Sequence, residues 1–169
     1  MTIYSIIALA FNMPFGFIIN SAIAPIGATF TFICLFTGSL WGKPMWGTWW
    51  VWDARLTSML ILFIFFLGYI ALSNAFEKNE RGGRPAALLA IVGSINLPIV
   101  KFSVDWWNTL HQPASIIRTG GISIDQSMLV PLIIMTLAFH VFFILIVILR
   151  AHSILIERKV YHLKVLGKI

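Results

Sequence analysis

Four long stretches of this sequence carry no charged residue, and they constrain the fold more than any other feature. They are residues 1–42, 56–76, 85–100 and 126–149, and every Asp, Glu, Lys and Arg lies between or beyond them. The hydrocarbon core of a bilayer is about 30 Å thick, and about 20 helical residues cross it. The later three stretches provide one crossing each, and the first is long enough to fold back as a hairpin. The sequence therefore predicts an all-α integral membrane protein with about five transmembrane helices.

The composition excludes other classes of protein. Apolar residues make up 59% of the chain and charged residues 11%, and the mean hydropathy of +0.92 exceeds that of soluble globular, disordered or collagen-like chains. The net charge is +6, but the basic residues flank apolar spans as loop charges do, so no nucleic acid is predicted as a partner. Cys34 is the single cysteine, which excludes an internal disulfide. We expect one membrane domain over residues 1–169, surrounded by the lipid bilayer.

Turn residues and apolar runs place the five predicted helices. The first helix has a kink at Pro14, and Asn20 with Ser21 forms the turn to the second helix, which puts Pro25 in the first turn of that helix. A turn at residues 12–16 is the alternative, but it leaves only about ten residues before it. The predicted helices are Thr2–Ile19, Ala22–Leu40, Leu56–Phe76, Ala86 to about Val104, and Met128–Leu149, with short interfacial helices outside the membrane.

The distribution of Lys and Arg predicts the orientation in the membrane, because cytoplasmic loops are enriched in these residues. Residues 77–85 and 150–169 together carry eight of them, and residues 41–55 and 101–127 carry four. We therefore place the first pair of segments in the cytoplasm or its organellar equivalent and the second pair outside. The basic tail, residues 150–169, is interpreted as a solvated cytoplasmic end that contacts lipid headgroups at most.

The first external segment, residues 41–55, is called the tryptophan segment here. It contains five tryptophans within twelve positions, Trp41, Trp46, Trp49, Trp50 and Trp52. One interpretation is an aromatic belt, because indole rings settle at membrane interfaces without any further function. The other is a planar surface for an aromatic ligand, because glycine and proline between the rings permit the turns that would lay them side by side. The spacing favours neither interpretation.

The second external segment, residues 101–127, is called the histidine segment. If this stretch is helical, Trp107 and His111 are four residues apart and share a helix face. A lone histidine is more often a solvated side chain than a metal ligand. The charge distribution, however, places both tryptophan-bearing segments on the same side of the membrane, where a flat apolar cofactor with a central metal would use indole rings and an axial imidazole.

Other candidate functions have less support in the sequence. The chain has no glycine-rich phosphate loop, no zinc-protease or nucleophile-elbow motif, and no pair of carboxylates at catalytic spacing, so we do not predict an enzyme. His140 lies in the middle of the last apolar stretch, where an ionisable residue is a candidate functional group. A neutral imidazole bonded to a neighbouring helix is the favoured interpretation of His140. A solute transporter needs more polar groups along its path than this one residue.

Three motifs resemble a known family. The run WGKPMWGTWWVWDARLTS at Trp41–Ser58 resembles the tryptophan-rich WWD signature of haem-handling membrane proteins. With APIGATFTF before it and NLPIVKFSVDWWNTLHQ after it, the chain resembles the haem exporter protein C (CcmC) family of cytochrome c maturation from about Ala24 to about Glu157. These motifs are long and specific, so chance similarity is improbable.

The resemblance implies a six-helix protein of the bacterial inner membrane, or of the mitochondrial inner membrane as the alternative. In this family haem b is held transiently on the outer, periplasmic face against the WWD surface, with two external histidines as axial ligands. It is then passed to the haem chaperone CcmE, alongside the ABC-type subunits CcmA and CcmB and the small protein CcmD. The implied activity is delivery of haem and not catalysis. A non-haem membrane scaffold, whose tryptophans only anchor it, remains the alternative.

The family's site residues carry over to this chain only in part. The second axial ligand corresponds to His111, but no histidine precedes it, so the first ligand has no counterpart. The five helices predicted for this chain are also one fewer than the six of the family. We therefore expect the chain to be an N-terminally truncated member. Lys43 or Arg55 is expected to pair with a haem propionate. The remaining residues expected to bind the cofactor are Trp41, Trp46, Trp49, Trp50, Trp52, Asp53, Trp106 and Trp107.

Overall fold

The computed structural model describes residues 1–75, 83–113, 115–116 and 121–167, and all regular structure in these ranges is helical. Four helical units are long and apolar enough to cross a membrane, which confirms the predicted all-α membrane fold. Two short consecutive helices together make one of these units, Gly83–Trp106. The first helix, Thr2–Phe11, has ten residues and is too short to cross. The helices are α1 (Thr2–Phe11), α2 (Pro14–Trp46), α3 (Ala54–Ala75), α4 (Gly83–Ser94), α5 (Asn96–Trp106) and α6 (Gln126–Val165).

The first hairpin turns earlier than predicted. Asn12 ends α1 in the left-handed conformation, with φ 51°, which asparagine tolerates better than most residues. Pro14 then begins α2 at a position where its missing N–H costs nothing. The predicted turn at Asn20 and Ser21 is therefore wrong, and the alternative turn within residues 12–16 is confirmed. Pro14 starts a helix and does not kink one, and Pro25 lies inside α2 and not in its first turn.

Asn20 was predicted to lie in a turn, but its polar side chain is part of the packing between two helices. It is fully buried, and its Nδ2 donates a hydrogen bond to Ser5 Oγ of α1 at 2.8 Å. Close packing of α1 on α2 also requires Gly16, where a Cβ would lie 2.6 Å from the Tyr4 carbonyl oxygen and 2.8 Å from Ala8 Cβ. Small and polar residues commonly join helices inside membranes in this way. The same residue types occur in turns, so composition alone does not distinguish the two uses.

The fourth predicted helix, Ala86 to Val104, is interrupted. Ser94 ends α4 and Asn96 begins α5, because Pro98 has no N–H to donate to the Ser94 carbonyl. The buried Asn96 side chain donates from Nδ2 to the Ser58 carbonyl oxygen of α3 at 2.8 Å, which attaches the interruption to its neighbour. The connections at 47–53 and 107–113 are irregular, so the predicted interfacial helices do not form there.

The last helix is longer than the predicted span. It has 40 residues, about 60 Å at 1.5 Å per residue, and it continues through the basic tail to Val165. It runs antiparallel to α2, since Phe139 contacts Phe30 edge to face and Ala151 packs with Ile18 and Ala22. Several predictions concern residues outside the described ranges: the end of the third helix at Phe76, and the loop charges Lys78, Arg81, Arg118 and Lys168.

The helix order brings the tryptophan and histidine segments together. Helix α2 ends at Trp46, within the tryptophan segment, and α3 starts at Ala54, at the same end of the bundle. The α4–α5 unit packs on α3 and ends at Trp106, and α6 begins at Gln126, near the end of the histidine segment. Both segments therefore lie at one end of the bundle.

Candidate functional site

The tryptophan segment leaves α2 through a glycine. Gly47 adopts φ 76°, a left-handed conformation that glycine takes without strain, and its N–H donates to the Lys43 carbonyl oxygen. The Lys43 ammonium donates to the Gly47 carbonyl oxygen at 3.1 Å and lies 5.7 Å from the centre of the Trp49 ring. Lys43 therefore stabilises the end of its own helix and packs over an indole.

Asp53 closes the tryptophan segment as the N-cap of α3. Its Oδ1 accepts a hydrogen bond from the Leu56 N–H at 2.8 Å, and its backbone oxygen accepts from the Thr57 N–H at 3.0 Å. Aspartate is among the preferred N-cap residues, because its carboxylate satisfies an N–H that has no partner within the helix. The side chain is only 4% exposed.

The second oxygen of the same carboxylate holds His111. The Nδ1 atom of His111 lies 2.9 Å from Asp53 Oδ2. A carboxylate accepts hydrogen bonds and does not donate them, so Nδ1 carries a proton. In the neutral imidazole Nε2 then has a lone pair, which no atom of the described residues engages. The imidazole is 19% exposed, and the Trp46 ring packs against it at 4.8 Å between centroids. The residues that meet come from two segments 58 positions apart.

A cleft opens beside this imidazole. It has a volume of about 370 Å³ and is lined by Trp41, Arg55, His111, Gln112, Pro113 and Ser115, which places it at the small end of the range of ligand pockets, about 300–1,000 Å³. Arg55 and His111 were expected here, but sequence reasoning missed Gln112, Pro113 and Ser115. Their position directly after His111 is the signal that could have identified them. Lys43 is not among the lining residues.

The tryptophan rings do not form the planar surface that was one interpretation of their spacing. Trp41 and Trp46 meet edge to face, with 86° between their planes. Trp50 and Trp52 form a second pair at 74°. Because the two rings of each pair stand nearly perpendicular to each other, they do not lie in one flat surface.

Trp50 carries a second unused polar atom at this end of the bundle. The Trp50 ring is half-buried, and its Nε1 is shielded from solvent without an acceptor among the described residues. Buried indole N–H groups normally have a partner. A bound molecule with an acceptor group would supply one.

The expected alignment of Trp107 with His111 is wrong. Helix α5 ends at Trp106, and Trp107 is extended, with φ −132° and ψ 154°, so the two residues share no helix face. Trp106 stacks on Phe102 of its own helix and contacts Trp107 edge to face. The indole beside His111 is Trp46 from the other segment. Trp106 and Trp107 are at least half exposed and lie outside the cleft lining.

His140 does not join this site. Its Nδ1 bonds to the Thr136 carbonyl oxygen at 2.7 Å, one turn earlier in α6. The expectation of a bond to a neighbouring helix is therefore wrong, because the helix's own backbone supplies the acceptor. Among the described residues no group of three or more His, Cys, Asp or Glu side chains could hold a bare metal ion.

A second aspartate caps a helix at the same end of the bundle. Asp125 is the N-cap of α6, and its Oδ1 accepts hydrogen bonds from the Ser127 hydroxyl at 2.6 Å and the Ser127 N–H at 2.9 Å. The bond from the Ser127 hydroxyl, followed by the backbone bond, lowers the pKa of this carboxyl below its ordinary value. Asp125 is fully exposed. Asp125 is therefore a control for Asp53: it is an aspartate N-cap at the same end of the bundle, but it is not hydrogen-bonded to a histidine.

Comparison with known proteins identifies the family to which the chain is similar. The family model described as "Heme exporter protein C" matches residues 1–166. A protein of that name from Bradyrhizobium diazoefficiens is 52% identical over 166 residues, which are 98% of this chain and 63% of the relative. The corresponding protein of Escherichia coli K12 is 52% identical over 132 residues, 78% of this chain and 53% of the relative.

A plant relative matches the chain to a similar degree. The "Putative cytochrome c biosynthesis ccmC-like mitochondrial protein" of Marchantia polymorpha is 48% identical over 149 residues, 86% of this chain and 62% of the relative. The chain thus spans between about half and two thirds of the length of these relatives.

Proposed function

The chain belongs to the Heme exporter protein C family, and from this premise we propose that its cleft holds haem as cargo during cytochrome c biogenesis. In this proposal Nε2 of His111 is one axial ligand of the haem iron. The porphyrin supplies four nitrogens to the iron, so the protein needs to supply only axial ligands. A single well-placed imidazole therefore suits haem, whereas a bare metal ion needs several side chains.

The observation that carries this proposal is the hydrogen bond between His111 and Asp53. Histidines that ligate metals almost always donate their other ring N–H to a carboxylate, a carbonyl or water. His111 has this arrangement, with Nδ1 on Asp53 Oδ2 at 2.9 Å, and it lines the cleft. Its free nitrogen is therefore available to a molecule bound there.

Aromatic and charged groups around the cleft fit the rest of the haem molecule. Trp41 lines the cleft, and Trp46 packs between Trp41 and His111. Stacking of a flat ligand on an aromatic ring contributes about 1–3 kcal/mol. Arg55 lines the cleft, and its positive charge would pair with a haem propionate. Lys43 is bonded to its own helix and is the less suitable propionate partner.

Transient binding and delivery follow from an open site. Trp41, Trp49 and Trp52 are at least half exposed, so haem held here stays accessible to a second protein. We propose that the cargo is haem b and that it passes to the chaperone CcmE, with CcmA, CcmB and CcmD as further partners. The site faces the periplasm from a bacterial inner membrane, with the mitochondrial inner membrane as the alternative. The chain carries out delivery and not catalysis.

The visible spectrum of the purified protein tests this function. The protein is produced in haem-replete cells and purified in detergent, with His111→Ala compared against His140→Ala. We expect a Soret band in the wild type and in His140→Ala, and its loss in His111→Ala, since His140 bonds only to its own helix. A His111→Ala protein that retains the full Soret band contradicts the proposal.

The non-haem scaffold is favoured by one observation, the exposure of Trp106 and Trp107 outside the cleft. Rings in this position act as interfacial anchors. A colourless wild-type protein with intact helical structure would support the scaffold and exclude haem binding.

A further inference from the structure

We infer that Asp53 is a positioning residue, which acts on haem through His111 and not by touching the porphyrin. This inference rests on the proposed function, in which His111 ligates the iron. The sequence placed Asp53 among the residues that contact the cofactor. Its carboxylate is directed elsewhere, since one oxygen caps α3 at Leu56 and the other holds His111.

Both oxygens of Asp53 are used within the protein. The side chain is 4% exposed, and Asp53 does not line the cleft. A bound molecule would therefore meet the imidazole and not the carboxylate. The role left to Asp53 is to determine how the imidazole is presented.

Asp53 selects one tautomer of His111. A neutral imidazole carries its proton on either Nδ1 or Nε2, and only the nitrogen without a proton can ligate iron. Because Asp53 Oδ2 accepts from Nδ1 at 2.9 Å, the proton is held there and Nε2 is kept ready for the metal. Without this acceptor both tautomers would be populated, and rotation of the ring would lose its restraint.

The same carboxylate connects the imidazole to the helix bundle. His111 lies in the irregular stretch between α5 and α6, and its own N–H donates to the nearby Thr109 hydroxyl at 3.2 Å. Asp53 is bonded to the first turn of α3 through Leu56 and Thr57. The bond to Asp53 therefore connects the imidazole, which lies outside any helix, to the start of α3 and restrains its position.

A matched pair of substitutions separates positioning from helix capping. Serine is as good an N-cap as aspartate, so Asp53→Ser keeps an acceptor for Leu56 N–H, but its hydroxyl is too short to hold His111. Asp125→Ser makes the same change at the N-cap of α6, where no histidine is bound. In haem titrations of the purified proteins, we expect Asp53→Ser to bind haem about 10- to 100-fold more weakly. Asp125→Ser is expected to match the wild type.

A measurement without haem tests the tautomer directly. The ¹⁵N NMR shifts of histidine distinguish the protonated ring nitrogen from the unprotonated one, and His111→Ala identifies the His111 signals by their loss. We expect a single tautomer with the proton on Nδ1 in the wild type and a mixture in Asp53→Ser. Thermal unfolding followed by circular dichroism confirms that the variant has kept its helices.

The outcomes distinguish failure of this inference from failure of the proposed function. If His111→Ala loses haem while Asp53→Ser binds it as tightly as Asp125→Ser, His111 is a ligand but Asp53 does not position it. If His111→Ala binds haem normally, the proposed function fails whatever Asp53 does. An unchanged tautomer in Asp53→Ser also overturns the inference.

Discussion

Two hydrogen bonds between one side chain and another join distant segments of the described chain, and they lie in different regions. Asn20 bonds to Ser5 inside the α1–α2 hairpin, and His111 bonds to Asp53 between the tryptophan and histidine segments. The first pair is fully buried between two helices. The second leaves one imidazole nitrogen free beside a cleft. One bond therefore serves packing alone, whereas the other prepares an atom for a ligand, and substitutions in the two regions should have separable effects.

The largest effect is expected from removing the imidazole. His111→Gly should abolish the Soret band, because the axial ligand is lost while the cleft walls remain. Added imidazole should restore the band, since a free ligand can occupy the vacated space. Failure of imidazole to restore haem in a folded protein would indicate that His111 holds the site together and does not act as a ligand.

A smaller loss of haem affinity is expected when the indole beside His111 is removed. Trp46→Ala removes the ring that packs on the imidazole at 4.8 Å, and about 1–3 kcal/mol of aromatic contact corresponds to about 5- to 150-fold in haem affinity. Trp107→Ala, a matched change outside the cleft, should leave the affinity within about twofold. Equal losses in the two variants would show that all tryptophans act together as anchors, as the scaffold interpretation requires.

Removing the charge of Arg55 should lower haem affinity moderately, and only if the haem carries its propionate charges. Arg55→Gln is expected to weaken haem binding about fivefold, which corresponds to about 1 kcal/mol, the upper end of the range for a solvent-exposed ion pair. Haem dimethyl ester has no propionate charge, so the wild type and Arg55→Gln should bind it equally. Lys43→Gln is the control, because Lys43 bonds to Gly47. A difference between the proteins with the ester would exclude the propionate contact.

The smallest effect is expected in the α1–α2 hairpin, and it should affect stability only. A double-mutant cycle of Ser5→Ala and Asn20→Ala should give a coupling free energy of about 0.6 kcal/mol, the average for hydrogen bonds between membrane helices. Denaturant unfolding in detergent measures this quantity. Haem affinity should not change in either variant, and a parallel loss of haem would show that the two regions are coupled.

The four membrane-spanning units were predictable because each depends on local composition, whereas the predicted first crossing, Thr2–Ile19, is wrong, since α1 has only ten residues. Helix α3, Ala54–Ala75, begins two residues before the predicted start at Leu56. The chain must satisfy its backbone hydrogen bonds internally wherever water is absent, so an apolar stretch of sufficient length becomes a helix. The first hairpin was mispredicted because Asn20 and Ser21 have the composition of a turn, whereas Asn20 is buried against Ser5.

The candidate site was predictable in its residue types but not in its contacts. The resemblance identified His111 and the tryptophans, and the charge distribution placed their segments on one side. The helical spacing then paired His111 with Trp107, whereas the structure pairs it with Trp46 and Asp53. The error arose because α5 ends at Trp106, and helix ends depend on surroundings that spacing rules do not include.

The sequence by itself determined that this chain is a helical membrane protein, roughly where its four membrane-spanning units lie, and which residue types are available at one end of the bundle. Each of these properties follows from the interaction of short segments with lipid or water. Only the tertiary structure decided that Asp53 caps α3 and holds His111, that Trp46 is the indole beside the imidazole, and that a cleft opens beside His111. These contacts join residues as many as 65 positions apart, and their geometry is set by the packing of α2, α3 and α5, which no local pattern records.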